Sequence, residues 1–186
     1  MRKLFILLLL FMPTFMVAQQ FNEYDRKVFN EGQVLTNREL QFAAAGTPWS
    51  ANNPIRIYSM HDEGDETIVT FSYSIYFDSQ WVSFSKGIYL VDEGNGDIYK
   101  VRGYAGGLSM DRLLIVKGCK GENVLISLRF PKLRKRTKTI SIYNPGHPDD
   151  IKPSNSCEDY SDVLASKVSV KKLRKVYKEH KVNVYE

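Results

Sequence analysis

The residues of this chain whose types could support catalysis do not fall into a catalytic pattern. His61, His147 and His180 are widely separated, and no pair of Cys or His residues has the close spacing of a zinc site. A nucleophilic serine would need a base beside it, and in a common hydrolase design a Gly-x-Ser-x-Gly turn; the chain has no such turn. Carboxylates cluster at Asp62, Glu63, Asp65 and Glu66 and again at Asp149 and Asp150. These are turn and linker positions, where solvated acids are expected, unlike the environment-split pair that glycoside hydrolysis uses. The acidic run Asp92, Glu93, Asn95 and Asp97 lacks the alternating ligands and terminal glutamate of a helix-loop-helix calcium site and reads as a hairpin loop. The expectation is therefore no catalytic, cofactor-binding or metal-binding residue, and a protein that is not an enzyme. A small hydrolase or glycan-processing enzyme with a site distributed along the chain is the alternative.

Binding chemistry is better represented. Near the C-terminus Leu173, Val176, Tyr177 and His180 recur at helical spacing, with Ser169 as the capping residue. The opposite face carries Lys171, Lys172, Arg174, Lys175 and Lys178, a candidate contact for an anionic surface such as lipid, lipopolysaccharide or an acidic polymer. The competing reading is a solvated face on a helix packed by its apolar side. A second cluster, Arg129, Lys132, Arg134, Lys135, Arg136 and Lys138, has no acidic residue between its ends. It suits an anion-binding loop, or positive charge that keeps a strand edge from pairing with another chain. Among the 11 Tyr, 10 Phe and 2 Trp, most occupy alternating positions that a core must fill. Trp49, beside Pro48 in a loop-like segment, is the aromatic most suited to ligand contact.

The surrounding elements set the compartment. Arg2 and Lys3, the apolar run Leu4 to Met12 and a small residue at Ala18 form an export leader, with the mature start near Gln19. The run is shorter than the ~20 residues of a membrane span and Pro13 interrupts it, so no transmembrane anchor is expected in the mature chain. Periplasm or cell exterior is the expected location, and partners there are envelope components, glycan or protein. The net charge of +5 includes Arg2 and Lys3; the remainder is too small to argue for nucleic acid. In an oxidising compartment Cys119 and Cys157 are candidates for one disulfide, with two unpaired thiols as the alternative. Residues 1–18 then form the signal peptide, 19–53 an N-terminal strand and loop segment, 54–146 a core domain, and 147–186 a linker and helical region.

Between these ends the chain alternates. Val69, Phe71, Tyr73, Ile75 and Phe77 interleave with Thr70, Ser72, Ser74 and Tyr76, which predicts a strand with one buried and one wetter face. Val124 to Phe130 and Thr139 to Ile142 behave alike, and Ile55 to Met60, Gln80 to Ser85, Ile88 to Val91, Asp97 to Arg102 and Leu113 to Lys117 add shorter candidates. Turn formers separate them, as at His61 to Asp65, Asp92 to Asp97 and Gly106-Gly107. About eight short strands with such turns predict a mainly β protein, an antiparallel sandwich, with a C-terminal helical appendage. A lipocalin-like barrel is the alternative. Tyr160, Val163 and Leu164 predict a further helix, with Asp159 or Ser161 as cap, and Val182 to Tyr185 a last strand.

The run Trp81-Val82-Ser83-Phe84, then Tyr89-Leu90-Val91-Asp92, Gly96-Asp97-Ile98-Tyr99-Lys100-Val101 and Leu128-Arg129-Phe130-Pro131 resembles the immunoglobulin-like β-sandwich modules of uncharacterised exported proteins of anaerobic Gram-negative bacteria. The resemblance covers roughly residues 54–143, implies only the general sandwich and carries no catalytic residue over. It departs from antibody domains, since neither cysteine lies in the strand before Trp81.

Overall fold

A computed structural model describes residues 32–36, 38–43, 55–146 and 163–180. The expected leader, Trp49, Cys157, the caps Asp159 and Ser161, and the expected strand Val182 to Tyr185 lie outside the described residues. Within them the chain is mainly β, with several antiparallel sheets and a single C-terminal helix.

Three sheets form. In the first, β1 (Gln33–Leu35) runs parallel to β9 (Leu114–Lys117), which pairs antiparallel with β5 (Ser79–Val82). The second has the order β2 (Gln41–Phe42), β10 (Asn123–Pro131), β4 (Glu66–Ser74) and β3 (Ile55–Glu63), and β8 (Gly103–Tyr104) also pairs with β10. The third runs β12 (Val163–Ser169), β11 (Thr139–Tyr143), β6 (Tyr89–Asp92) and β7 (Ile98–Lys100). The eight strands expected from alternation are all present. The two-residue and three-residue strands β1, β2 and β8 are additional, being too short to show a period.

One apolar core draws on every sheet. Leu35, Val82, Leu114 and Val116 come from the first, Met60, Val69, Phe71, Ile126 and Phe130 from the second, and Leu90, Ile140 and Ile142 from the third. Leu113 to Val116 is buried throughout, as its unbroken apolar run implies. The expectation of a wet face on the 67–77 strand is corrected. Thr70 and Ser72 are as buried as Val69 and Phe71. Thr70 and Ser127 face each other across β4 and β10 and share a hydroxyl hydrogen bond of 2.8 Å, which lets polar side chains lie under cover.

The β3–β4 hairpin closes through the two-residue loop Gly64-Asp65, with Glu63 opposite Glu66. Gly64 has φ +54°, the left-handed conformation such a tight loop demands. A bulge between Ile57 and Ser59 leaves Tyr58 without a partner on β4 and turns it to the outer side of the sheet, where it meets Leu125.

The segment expected to form a helix around Val163 and Leu164 is instead β12. Antiparallel pairing with β11 satisfies its backbone, and a bulge carries Lys167 at φ +51° with its amide on the Ser141 hydroxyl at 3.0 Å. The second expected helix is present as α1 (Val170–His180), which follows β12 directly. Ser169 caps it, its hydroxyl accepting from the Lys172 amide at 3.5 Å. Val170 and Leu173 join the main core, whereas Val176 and Tyr177 pack on Tyr58 and Leu125. The helix thus straddles β3, the last strand of its sheet, and covers an edge that would otherwise be open to pairing. Among the described residues no helix is long and apolar enough to cross a membrane.

Candidate functional site: a cationic end and a polar seam

The two basic clusters, about thirty residues apart in sequence, meet in the fold. Thr139 opens β11 directly opposite Ser169, the last residue of β12, and the Val170 amide donates to the Lys138 carbonyl at 3.0 Å. The basic loop 132–138 therefore enters the third sheet where the helix leaves it. Lys135, Arg136 and Lys138 on one side and Lys171 and Lys172 on the other are exposed at the same end of the molecule. None of the five has an ion pair among the described residues.

The loop is pinned from beneath. Leu133 is buried, and its amide donates to the Thr67 hydroxyl at 3.0 Å. The Thr137 hydroxyl donates to the Asp92 carboxylate at 2.6 Å, a buried and charge-assisted bond. Arg134 pairs with Asp97 at 3.0 Å, and the Lys132 ammonium donates to the Gly64 carbonyl at 2.7 Å. Arg129 is drawn back toward Glu66 and the Tyr104 carbonyl. Inward anchors and outward charges are thus separated along one loop. Rather than standing free as ligands, Asp92 and Asp97 hold this architecture: Asp92 also accepts from the Gly94 amide at 2.9 Å, and Asp97 accepts from the Asn95 side chain at 2.8 Å.

The helix divides its basic residues. Lys171, Lys172, Lys175 and Lys178 are exposed, and Lys175 reaches Glu179 one turn on at 3.4 Å. Arg174, expected on the same cationic face, turns toward the sheet and binds Asp62 of β3 at 2.8 Å. The reason is steric and electrostatic: one turn further along α1, Tyr177 stacks flat on His61 with ring centroids 3.9 Å apart, which brings Arg174 over the neighbouring carboxylate. Burial under that ring holds the His61 pKa below its ordinary value, and the Glu63 and Asp62 carboxylates offset this only in part.

The seam beside α1 is rich in polar atoms that meet no partner. The described residues contain six buried side-chain nitrogen or oxygen atoms of this kind, and five belong to β3, β4 and α1: Arg56 Nε, Ser59 Oγ, His61 Nδ1, Ser72 Oγ and Arg174 Nε. Alternation marks Ser72 only as part of a wet face and assigns no role to Ser59, so nothing in the sequence signals this group.

Cys119 is buried and joins no disulfide among the described residues. Its Sγ donates to the Lys117 carbonyl at 3.5 Å, and burial pushes its pKa up. Its side chain joins the main core, and Cys157, the partner expected for a bridge, lies outside the described residues. Among the described residues no group of three or more His, Cys, Asp or Glu could hold a metal ion. Comparison with family models, characterised proteins and solved structures finds no match to this chain.

Proposed function

We propose that this protein is a non-enzymatic, exported binding module of the cell envelope, and that it meets an anionic envelope surface through the cationic end formed by the 132–138 loop and α1. The observation that carries the reading is the juxtaposition of Lys138 with the start of α1. It builds one positive surface from two sequence segments and leaves Lys135, Arg136, Lys138, Lys171 and Lys172 without an ion pair among the described residues. Asp92, Asp97 and Asp62 are engaged by Thr137, Arg134 and Arg174, while those five cations are exposed. The leader from Arg2 to Ala18 supports export. The scaffold in this reading is a sandwich of the immunoglobulin-like kind, and the one core shared by the sheets supports layered packing.

The test is retention of the purified protein on isolated cell envelopes across a salt series. Retention at low salt that is released as salt rises, and that falls when Lys171 and Lys172 become Gln, agrees with the proposal. Retention indifferent to both overturns it.

A further inference from the structure

The unpartnered polar group beside α1 is a separate site from the cationic end. Arg56 is half-buried, and its guanidinium has neither an ion pair nor a hydrogen bond among the described residues. Its nearest neighbour across the hairpin is Ser72, directly opposite on β4. Residues so paired have Cβ atoms about 5 Å apart on one face of the sheet. Ser72 is fully buried with a hydroxyl that meets no acceptor or donor. Ser59 stands opposite Thr70, two residues before Ser72, so it shares that face, and it too is fully buried and unpartnered. Thr70, their neighbour on that face, bonds to Ser127 across the sheet and to neither serine.

The combination is costly as it stands. A buried hydroxyl without a partner costs about 1–3 kcal/mol, and the buried Nε–H of Arg56 adds a further unsatisfied donor. What would satisfy all three groups at once is an anion with several oxygens: a guanidinium edge offers fixed donors to such a group, and each serine adds one O–H. The rest of the seam favours the same charge. Arg174 Nε and His61 Nδ1 are further unpartnered atoms along the seam, and the carboxylate beside them, Asp62, is already engaged by Arg174 and Thr67.

We infer that Arg56, Ser72 and Ser59 form a binding site for a small oxyanion of the phosphate or sulfate class, on the outer face of the β3–β4 hairpin beside α1. The site differs from the cationic end in kind: its donors are two buried hydroxyls and one half-buried guanidinium, whereas the lysines form an open, salt-screened surface.

Inorganic phosphate is the probe. The purified protein is titrated with it at constant ionic strength, following the Arg56 Nε–H resonance by nuclear magnetic resonance. The expected result is saturable binding that moves this resonance. Binding weakens at least tenfold in Ser72→Ala, which removes one hydroxyl with little change of shape, and is lost in Arg56→Gln; Lys171→Gln with Lys172→Gln leaves it unchanged. If Arg56→Gln does not fold, Ser72→Ala and Ser59→Ala decide. The inference is overturned if there is no saturable binding, if binding is indifferent to both serine substitutions, or if it is lost with the lysines instead. The last result would assign the anion to the cationic end and leave the envelope reading standing.

Discussion

Val170 gives its amide hydrogen to the carbonyl of Lys138, and this single 3.0 Å bond ties the first turn of α1 to the end of the basic loop. A helix leaves its first amides without internal partners, so a donor was available there, and the loop supplied the acceptor. The consequence is electrostatic. Two runs of lysine and arginine that the chain separates by about thirty residues become one surface, while Thr137 and Leu133 hold the loop from below.

Thr137 is the residue whose loss should disturb that surface most. Its hydroxyl is the side-chain donor to a buried carboxylate, Asp92, whose other oxygen is held by the Gly94 amide. Thr137→Val keeps the shape and removes the donor, and is expected to cost about 1.5–3 kcal/mol in chemical denaturation. A cost below about 0.5 kcal/mol would show that the loop is not anchored through Asp92.

His61 gives the protein a dependence on pH with a definite sign. Its folded-state pKa lies below the ordinary value of 6.5 because burial disfavours the charged ring. Below 6.5 the unfolded chain therefore takes up a proton that the native state resists. The stabilising contribution is complete above that value and is lost as pH falls through the folded-state pKa. Urea denaturation at about pH 7.5 and pH 5 should show wild type losing more stability on acidification than His61→Gln. Equal losses would place His61 in water rather than beneath Tyr177.

Cys119 should resist modification in the native protein. It is buried and its pKa is raised, so both access and thiolate fraction are low. A thiol reagent at neutral pH is expected to label Cys119 only as fast as the protein opens, with the rate rising steeply in denaturant. Rapid labelling of this residue without denaturant would contradict the packing around it.

The length and period of each segment decided how much of the fold could be read from the sequence. Nine-residue strands such as β4 and β10 repeat their alternation often enough to be read, whereas β2 and β8, two residues each, are defined only by their partners on β10. Val163 and Leu164 suit either a helix or a strand, and pairing with β11 decided the matter. Thr70, Ser72 and Ser127 read as a wet face because polar residues alternate with apolar ones, yet all three are buried in the fold. Arg174 could not be distinguished from Lys175 on a helical wheel, since Asp62 lies over a hundred residues away. The lysines of α1 were legible; their meeting with the 132–138 loop was not, because it depends on the register of Thr139 against Ser169.

The most direct test of an anionic-surface role is co-sedimentation of the purified protein with lipid vesicles, comparing phosphatidylglycerol with phosphatidylcholine at low and high salt. The cationic end predicts extra binding to the anionic vesicles that disappears at about 0.5 M salt. It also predicts that Lys171→Gln with Lys172→Gln weakens that extra binding by about 30-fold, at roughly 1 kcal/mol per charge, and that Lys135→Gln with Lys138→Gln does the same. Equal binding to both vesicle types, or anionic binding that survives high salt and loss of either lysine pair, would contradict it.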